Sequence, residues 1–485
     1  MKMRLASRTS ARAALAVTLL ALSGCASVSL NQTMTRVSTE VAGVNGSVTD
    51  GVAQGVIALA QTDADRSRRA QAAAALLSTP LGQREAVLLM LNNSPALQAL
   101  LAQWWAESAE AAQSGRISNP VFSFERMVAG DELELGRAIS FGLLDVLTLP
   151  ARQGVAQRRV ERAQLRLSGE VIDQLTQVRQ AWVRAVAARQ AHSYAQQVFE
   201  SAEAGAELAR RMQATGNFNR ISRAREQAFY ADAATRLATT AHQATASHEA
   251  LVRLLGLDEA QAGALTLPHR LPDLPQQALA PDDLGRLVSR GRLDIRLAQL
   301  AFDSAARAQG LNTVTSITDI ELSVLRSTRF DNAAASRSSA RGYEIAVRLP
   351  VFDGGDLQRD AMNARTLAAA QALEATVRAA GSHLRESYSA YRTAYDLARH
   401  HRDEVVPLRK LISDENLLRY NGMIIGVFEL LADAREQIAT VLAALEAEQQ
   451  FWLADAALKA SLIGRPTAAA LFVTPSAPSS GSAGH

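Results

Sequence analysis

Apolar positions along this chain recur at two different periods, and the switch from one to the other divides it into elements. From Pro150 to about Leu255 the spacing is three and four. Val171, Leu175, Val178, Trp182 and Val186 fall on one stripe of an amphipathic helix, with Arg179, Arg184 and Arg189 read as its solvated faces. The run breaks only at Thr215-Gly216-Asn217, so an arm of roughly 65 residues from Pro150 would span about 100 Å at a helical rise of about 1.5 Å per residue. Ahead of it, Leu81 to Gly115 reads as helix, ended by Gly115 and Pro120. Between the two lie short extended runs, Val121-Phe122-Ser123-Phe124-Glu125 and Leu133 to Phe141, joined by a tight Gly130-Asp131 turn. A second extended pair follows later, Thr318 to Arg326 and Tyr343 to Phe352, with a polar loop near Asp331–Ser339. Helix is expected from about Leu284 to Gly310, and again from Asp356 to about Gly464 with an interruption near Asn421-Gly422.

The pattern is written twice. Ser108-Ala109 with Ala112-Gln113 before the first hairpin returns as Ser304-Ala305 with Ala308-Gln309 before the second. Ala224-Arg225-Glu226-Gln227, past the first helix break, returns as Ala434-Arg435-Glu436-Gln437 past the second. Leu254-Leu255-Gly256 closes one half and Leu462-Ile463-Gly464 the other. The fold class is therefore mainly α with a small β part, a duplicated helix, hairpin and long helical arm. The first structural repeat is 81–267, a proline-rich connector occupies 268–283, and the second repeat is 284–464. Residues 25–80 form a Ser/Thr/Ala/Gly-rich lead-in with some helix, and 465–485 a disordered tail.

Composition changes this picture little, but its distribution does. Hydrophobic residues make up 48% and aromatics only 5%, a profile of long helices rather than of an ordinary globular core. The formal net charge is +3, yet Lys2, Arg4, Arg8 and Arg12 stand without an acid in residues 1–24, so the rest of the chain is slightly acidic. Those basic residues precede an apolar stretch, Ala13 to Leu22, too short to span a bilayer, and then small residues: a secretory signal peptide over 1–24. Leu22-Ser23-Gly24-Cys25 resembles the bacterial lipobox, which implies a palmitate-bearing lipidated Cys25 as the first mature residue, and Ala26 after it implies sorting to the outer membrane. Because Cys25 is the sole cysteine, no disulfide framework or thiolate metal site is available.

Four short strands cannot close a membrane barrel, and open sheet edges cannot sit in lipid, so spanning would require several chains to pool their strands. Here the residues reach a family. The duplicated layout from about 81 to 464 resembles the TolC-like outer-membrane efflux factors, with Leu91-Asn92-Asn93-Ser94-Pro95-Ala96-Leu97 opening the first helix. Leu349-Pro350-Val351-Phe352-Asp353-Gly354-Gly355 between strand and helix, and Arg419-Tyr420-Asn421-Gly422 at the second tip, are similar to that family's motifs too. The resemblance implies a homotrimer whose helices form an α-barrel continuing into a shared twelve-stranded outer-membrane β-barrel. It also implies a passive conduit fed by an inner-membrane pump through a periplasmic adaptor protein. By the same resemblance Glu429 would line a pore constriction with Asp433 close by, and a plain helix-surface charge is the other reading of Glu429. Tyr420 would act as an aperture latch, with Ile425 standing where the family has arginine. The adaptor would dock at tips formed by Gly216, Asn217, Gly422 and Ile425.

No catalytic constellation emerges: the chain has no P-loop, GxSxG or HExxH motif, and its one histidine pair, His400-His401, points in diverging directions on a helix. An enzyme, a cofactor and nucleic-acid binding are not expected. The competing reading is a non-conducting structural periplasmic coiled-coil lipoprotein. It is suggested by Glu125, Arg126, Glu132, Glu134 and Arg137, which are dense for strands meant to lie in lipid.

Overall fold

The computed structural model describes residues 57–280, 291–315, 319–331 and 333–467, with short segments at 34–35 and 37–38. Cys25, the signal peptide and most of the terminal tail lie outside the described residues. The described elements, in chain order, begin with α1 (Asp63–Leu77), α2 (Gln83–Asn93), α3 (Pro95–Gln113), β1 (Val121–Ala129) and β2 (Glu132–Gly142). Then come α4 (Leu143–Leu147), α5 (Leu149–Ala214), α6 (Arg220–Leu255), α7 (Glu259–Ala264) and α8 (Leu293–Thr315). The chain continues through β3 (Ile320–Asp331), β4 (Ser336–Val347), α9 (Asp356–His400), a π-helical turn (His401–Val405), α10 (Val406–Asn421) and α11 (Val427–Ile463). These elements separate into two compact units that cut across the sequence repeats. One contains Ala102–Leu167 and Ile295–Val377; the other contains Thr35–Leu101, Ser168–Asp294 and the chain from Arg378. Each repeat thus gives its hairpin to one unit and the tip of its helical arm to the other.

In the first unit the four strands form one antiparallel sheet in the order β1-β2-β3-β4. The Gly130-Asp131 turn stands where the sequence put it, with Gly130 at φ +60°, a conformation that costs glycine nothing. The second hairpin is longer and its loop shorter than the hydrophobic pattern predicts. Ser336 to Ala340 pair in register with Ser327 to Asp331, although this Ser/Arg/Ala run carries no apolar alternation. At the other end β4 stops at Val347 instead of reaching Phe352, because Pro350 has no N–H to give a ladder. The chain then turns through Asp353, whose carboxylate accepts the Gly355 N–H at 2.8 Å with Gly355 at φ +72°, and enters α9.

The second unit buries more of α5 than a single stripe. Besides the expected Val171, Leu175, Val178, Trp182 and Val186, the positions Ile172, Ala181, Val183, Ala185 and Ala187 are buried as well. The reason is that connecting segments wrap the arm. Trp182 donates its indole N–H to the Leu81 carbonyl at 2.7 Å, and Arg189 donates to the Leu267 carbonyl at 2.7 Å. Arg179 is half-buried, and burial pulls its pKa down, so of the three arginines read as solvated Arg184 and Arg189 are exposed and Arg179 is not. The connector is held by its carbonyls. Tyr395 donates to Pro275 and Gln276 at 3.0 Å each, and Trp452 to Pro272 at 3.1 Å. Tyr391, Tyr395 and Phe451 form the core beneath it.

Two helix breaks were not anticipated. The motif at Leu91–Leu97 does not open one helix but divides α2 from α3 at Ser94, since a residue before proline avoids the helical region. Its role is closure: Asn93 donates to the Gly256 carbonyl at 2.8 Å, and Gly256 (φ +67°) lies so close that a Cβ there would stand 2.3 Å from the Pro95 ring. The second repeat has the same device, Gly464 (φ +87°) pressed against Asp294. The π turn at His401–Val405 precedes Pro407, whose missing N–H and ring disturb the regular ladder, and one widened turn absorbs that.

Candidate functional site

In the second unit the two arm tips lie side by side. At the first, α5 ends with Asn217 N–H on the Met212 carbonyl (2.9 Å) and Gly216 N–H on Gln213 (3.0 Å), with Gly216 left-handed at φ +80°. Asn219 then caps α6, accepting from Ser222 N–H at 2.7 Å. The second tip repeats the closure one residue later than the sequence suggests. Ile424 N–H bonds the Arg419 carbonyl (2.8 Å), Met423 N–H bonds Tyr420 (2.9 Å), and the left-handed residue is Met423 at φ +57°. Gly422 is right-handed at φ −80°, so this backbone does not demand glycine there.

Between the tips Phe218 and Phe428 stack at 4.3 Å, and Ile425 is buried beside its own turn. Ile425, expected as a docking residue, is therefore not presented to a partner. The most exposed apolar side chains of the tips are Ile221, Met423 and Ile424, with Asn217 also exposed. Tyr420 is partly exposed, and its hydroxyl makes no hydrogen bond among the described residues. Glu429 is exposed in the first turn of α11.

Asp433 is different: only 6% of it is accessible, and its carboxylate pairs with Arg409 at 2.9 Å while Arg409 also donates to the Asp433 carbonyl. Asp433, expected beside Glu429 at a constriction, thus has its carboxylate engaged inside the protomer, and Glu429 is the exposed acid of the two. Arg409 reaches Glu436 as well, at 2.8 Å. Sequence reasoning missed the strongest tie here: Glu226, buried on α6, accepts from Arg435 on α11 at 2.5 Å, and Arg435 lies over the Phe229 ring at 4.7 Å. Both charges belong to the repeated Ala-Arg-Glu-Gln motif, and that repetition was the available signal that the two copies meet.

The sheet of the first unit sorts its charges by face. Residues directly opposite across strands share a face, and the register is unbroken. Glu125, Glu132, Glu134, Glu321, Asp331 and Glu344 all fall on one face, joined only by Arg329, which pairs with Glu134 at 3.1 Å and lies 3.8 Å from Glu132. The opposite face carries Phe122, Phe124, Val128, Ile139, Val324, Tyr343 and Ile345, all exposed, and its only charged residues are arginines. The charge density of the first hairpin, which argued against spanning, is thus divided between the two faces. β1 and β4 are open edges, paired on one side only.

Among the described residues no three His, Cys, Asp or Glu side chains are grouped to hold a metal ion, and no helix is long and apolar enough to cross a membrane. His400 faces Glu404 at 3.1 Å, and the His401 ring lies 6.3 Å from it.

The fold so described, a four-stranded sheet with paired helical arms, superposes on solved outer-membrane proteins over most of their length. The chain has the TolC-like fold. An outer membrane protein from Vibrio cholerae, VceC, superposes with a TM-score of 0.64 at 17% identity, over 79% of this chain and 96% of that one. A membrane protein from Pseudomonas aeruginosa gives 0.66 at 20% identity, over 78% and 93%. The open-state MtrE outer membrane channel of Neisseria gonorrhoeae gives 0.62 at 18%, over 79% and 90%. No protein-family profile matches the chain, and no curated protein sequence does.

Proposed function

We propose that the chain is the outer-membrane channel of a tripartite efflux or export system, a passive conduit for small molecules or ions. The observation that carries this reading is the sheet: strands of 9 to 12 residues with an acidic face, an apolar face and two unpaired edges. Unpaired backbone edges are not tolerated in hydrocarbon, so the sheet must be completed by others. Three copies give twelve strands, with the acidic faces turned to a wet lumen and the apolar faces to lipid. The helices would continue as an α-barrel into the periplasm. Lipidated Cys25 would tether each protomer at the outer membrane, and no cofactor takes part. Glu429 would add to the negative potential at the inner aperture, with Tyr420 among the contacts that keep it closed.

The partners in this reading are a periplasmic adaptor protein and, through it, an inner-membrane pump. Ile221, Met423 and Ile424 form the apolar docking tip, with Asn217 beside them, left-handed Gly216 and Met423 shaping the two turns, and Gly422 next to the second. The segregation of charge supports this reading over that of a non-conducting coiled-coil lipoprotein, for which one apolar sheet face would have no purpose. The test is an efflux assay with the tip altered. Ile424→Glu and Gly216→Glu should abolish export while leaving a detergent-extracted trimer of unchanged mass, and normal export in both would refute the docking assignment.

A further inference from the structure

We propose that Arg137, Arg326 and Arg341 form a binding row for the phosphate groups of lipids at the outward edge of the sheet's apolar face. The inference rests on the reading that the sheet spans the outer membrane. The three arginines are not scattered: Arg137 is the register partner of Arg326, and Arg326 of Arg341, so they stand side by side across β2, β3 and β4 with Phe124 completing the row on β1. Cβ atoms of such partners lie about 5 Å apart, and like charges placed so repel one another unless anions come between them. The protein supplies none. All six strand carboxylates are on the other face, and among the described residues the three guanidinium groups have neither a hydrogen bond nor an ion pair.

Position along the strands says which anion. The turn at Gly130-Asp131 points away from the helices that enter and leave the sheet, so it marks the outward end. On the helix side of the row the apolar face is free of charge, through Phe141, Leu322 and Ile345 and then Ile139, Val324 and Tyr343. From Ile320 to Arg326 the strand advances about 20 Å, and exposed Leu349, Val351 and Phe352 follow Val347 just past the end of β4. On the outward side charge persists with Arg126 and Arg337. An arginine is strongly unfavourable at the bilayer midplane and costs little at its boundary, so hydrocarbon must end at this row. Tyr343, one step inward, suits that boundary. What adjoins an outward-facing surface there is a headgroup layer, and the planar, five-donor guanidinium matches phosphate oxygens in pairs. Headgroup phosphate is the partner this arrangement fits.

The experiment uses the full-length protein in neutral detergent, titrated with fluorescent bisphosphorylated lipid A, with its dephosphorylated form, and with inorganic phosphate as competitor. The wild type should bind the phosphorylated lipid at least tenfold more tightly than the dephosphorylated one. R137Q/R326Q/R341Q should lose that preference, and E132Q/E134Q/E321Q on the opposite face should keep it. Should the triple variant fail to assemble, R326Q alone removes the central member and should reduce the preference several-fold. Equal affinity for both lipids, equal loss in the opposite-face variant, or competition by inorganic phosphate as effective as that by lipid would overturn the assignment. A protein that does not partition into vesicles at all would instead refute the spanning reading. One that inserts and conducts without lipid preference would refute the arginine row alone.

Discussion

The Glu226–Arg435 pair joins the first-repeat tip to the second, and its loss should loosen both. Glu226 has a side chain only 6% accessible, whereas that of Arg435 is 31% accessible. Arg435→Met leaves a carboxylate buried without its cation, a change that costs about 3–5 kcal/mol in a fully buried pair. Water reaches the Arg435 side, so roughly 2–3 kcal/mol is expected here, part of it the lost contact over Phe229. Glu226→Gln keeps an acceptor and leaves Arg435 partly solvated, at about 1 kcal/mol. The double variant removes both charges together and should cost less than Arg435→Met alone, giving a coupling near 2 kcal/mol. The assay is hydrogen exchange over Ser222–Phe229 and Asp433–Ile438. Opening of the tip is local, and about 2 kcal/mol is roughly a thirtyfold loss of protection. Additive losses, with coupling inside about 0.5 kcal/mol, would show that the two charges are neighbours without being partners.

Three further outcomes follow from particular side chains. Burial pushes the Glu448 carboxyl up to about 7, with Asp273 adding to the rise and Arg270 and Arg402 opposing it. A raised folded-state pKa costs stability when the group ionises, so the cost is absent below about 4.5, grows between there and 7, and is complete above. The full shift is worth about 3 kcal/mol, reduced to roughly 1–2 by solvent at this half-buried position. Glu448→Gln should therefore raise the urea midpoint at pH 8 and leave it unchanged at pH 4, and a pH-independent difference would contradict this. Gly256→Ala places a Cβ into the Pro95 ring at a left-handed φ and should destabilise the protein by about 2–4 kcal/mol, read as a drop in the melting midpoint. Met423→Gly should raise that midpoint through about 1 kcal/mol of relieved left-handed strain, a gain that fails to appear if Met423 owes its conformation to packing.

The long arms were legible because period 3.6 persists over tens of residues, and the hairpins because Gly130-Asp131 sits between two alternating runs. The proportion of helix lost to breaks was less so. Pro407 and Ser94-Pro95 each interrupt a pattern whose apolar spacing continues across them, and only the backbone shows how the ladder was rearranged. Glycine misled at the second tip, where the left-handed residue is Met423 and Gly422 beside it is ordinary. The two acids that the resemblance placed at an aperture divided for a physical reason. Glu429 lies in the first turn of α11 and stays exposed, while Asp433, one turn on, faces Arg409 on α10. Nothing in a single strand tells whether its charges share a face with those of another. Register does, and it separated six acids from five arginines that looked intermixed along the sequence.

Single-channel recording in planar bilayers with the purified protein tests the central claim most directly. Discrete conductance steps should appear with a reversal potential that favours cations, since the six carboxylates that share one sheet face with Arg329 alone would then line the lumen. Neutralising Glu132, Glu134 and Glu321 should shift that reversal potential toward zero. A heat-stable trimer that inserts but never conducts, even with Tyr420 and Glu429 replaced, would contradict the channel and leave a coiled-coil lipoprotein in its place.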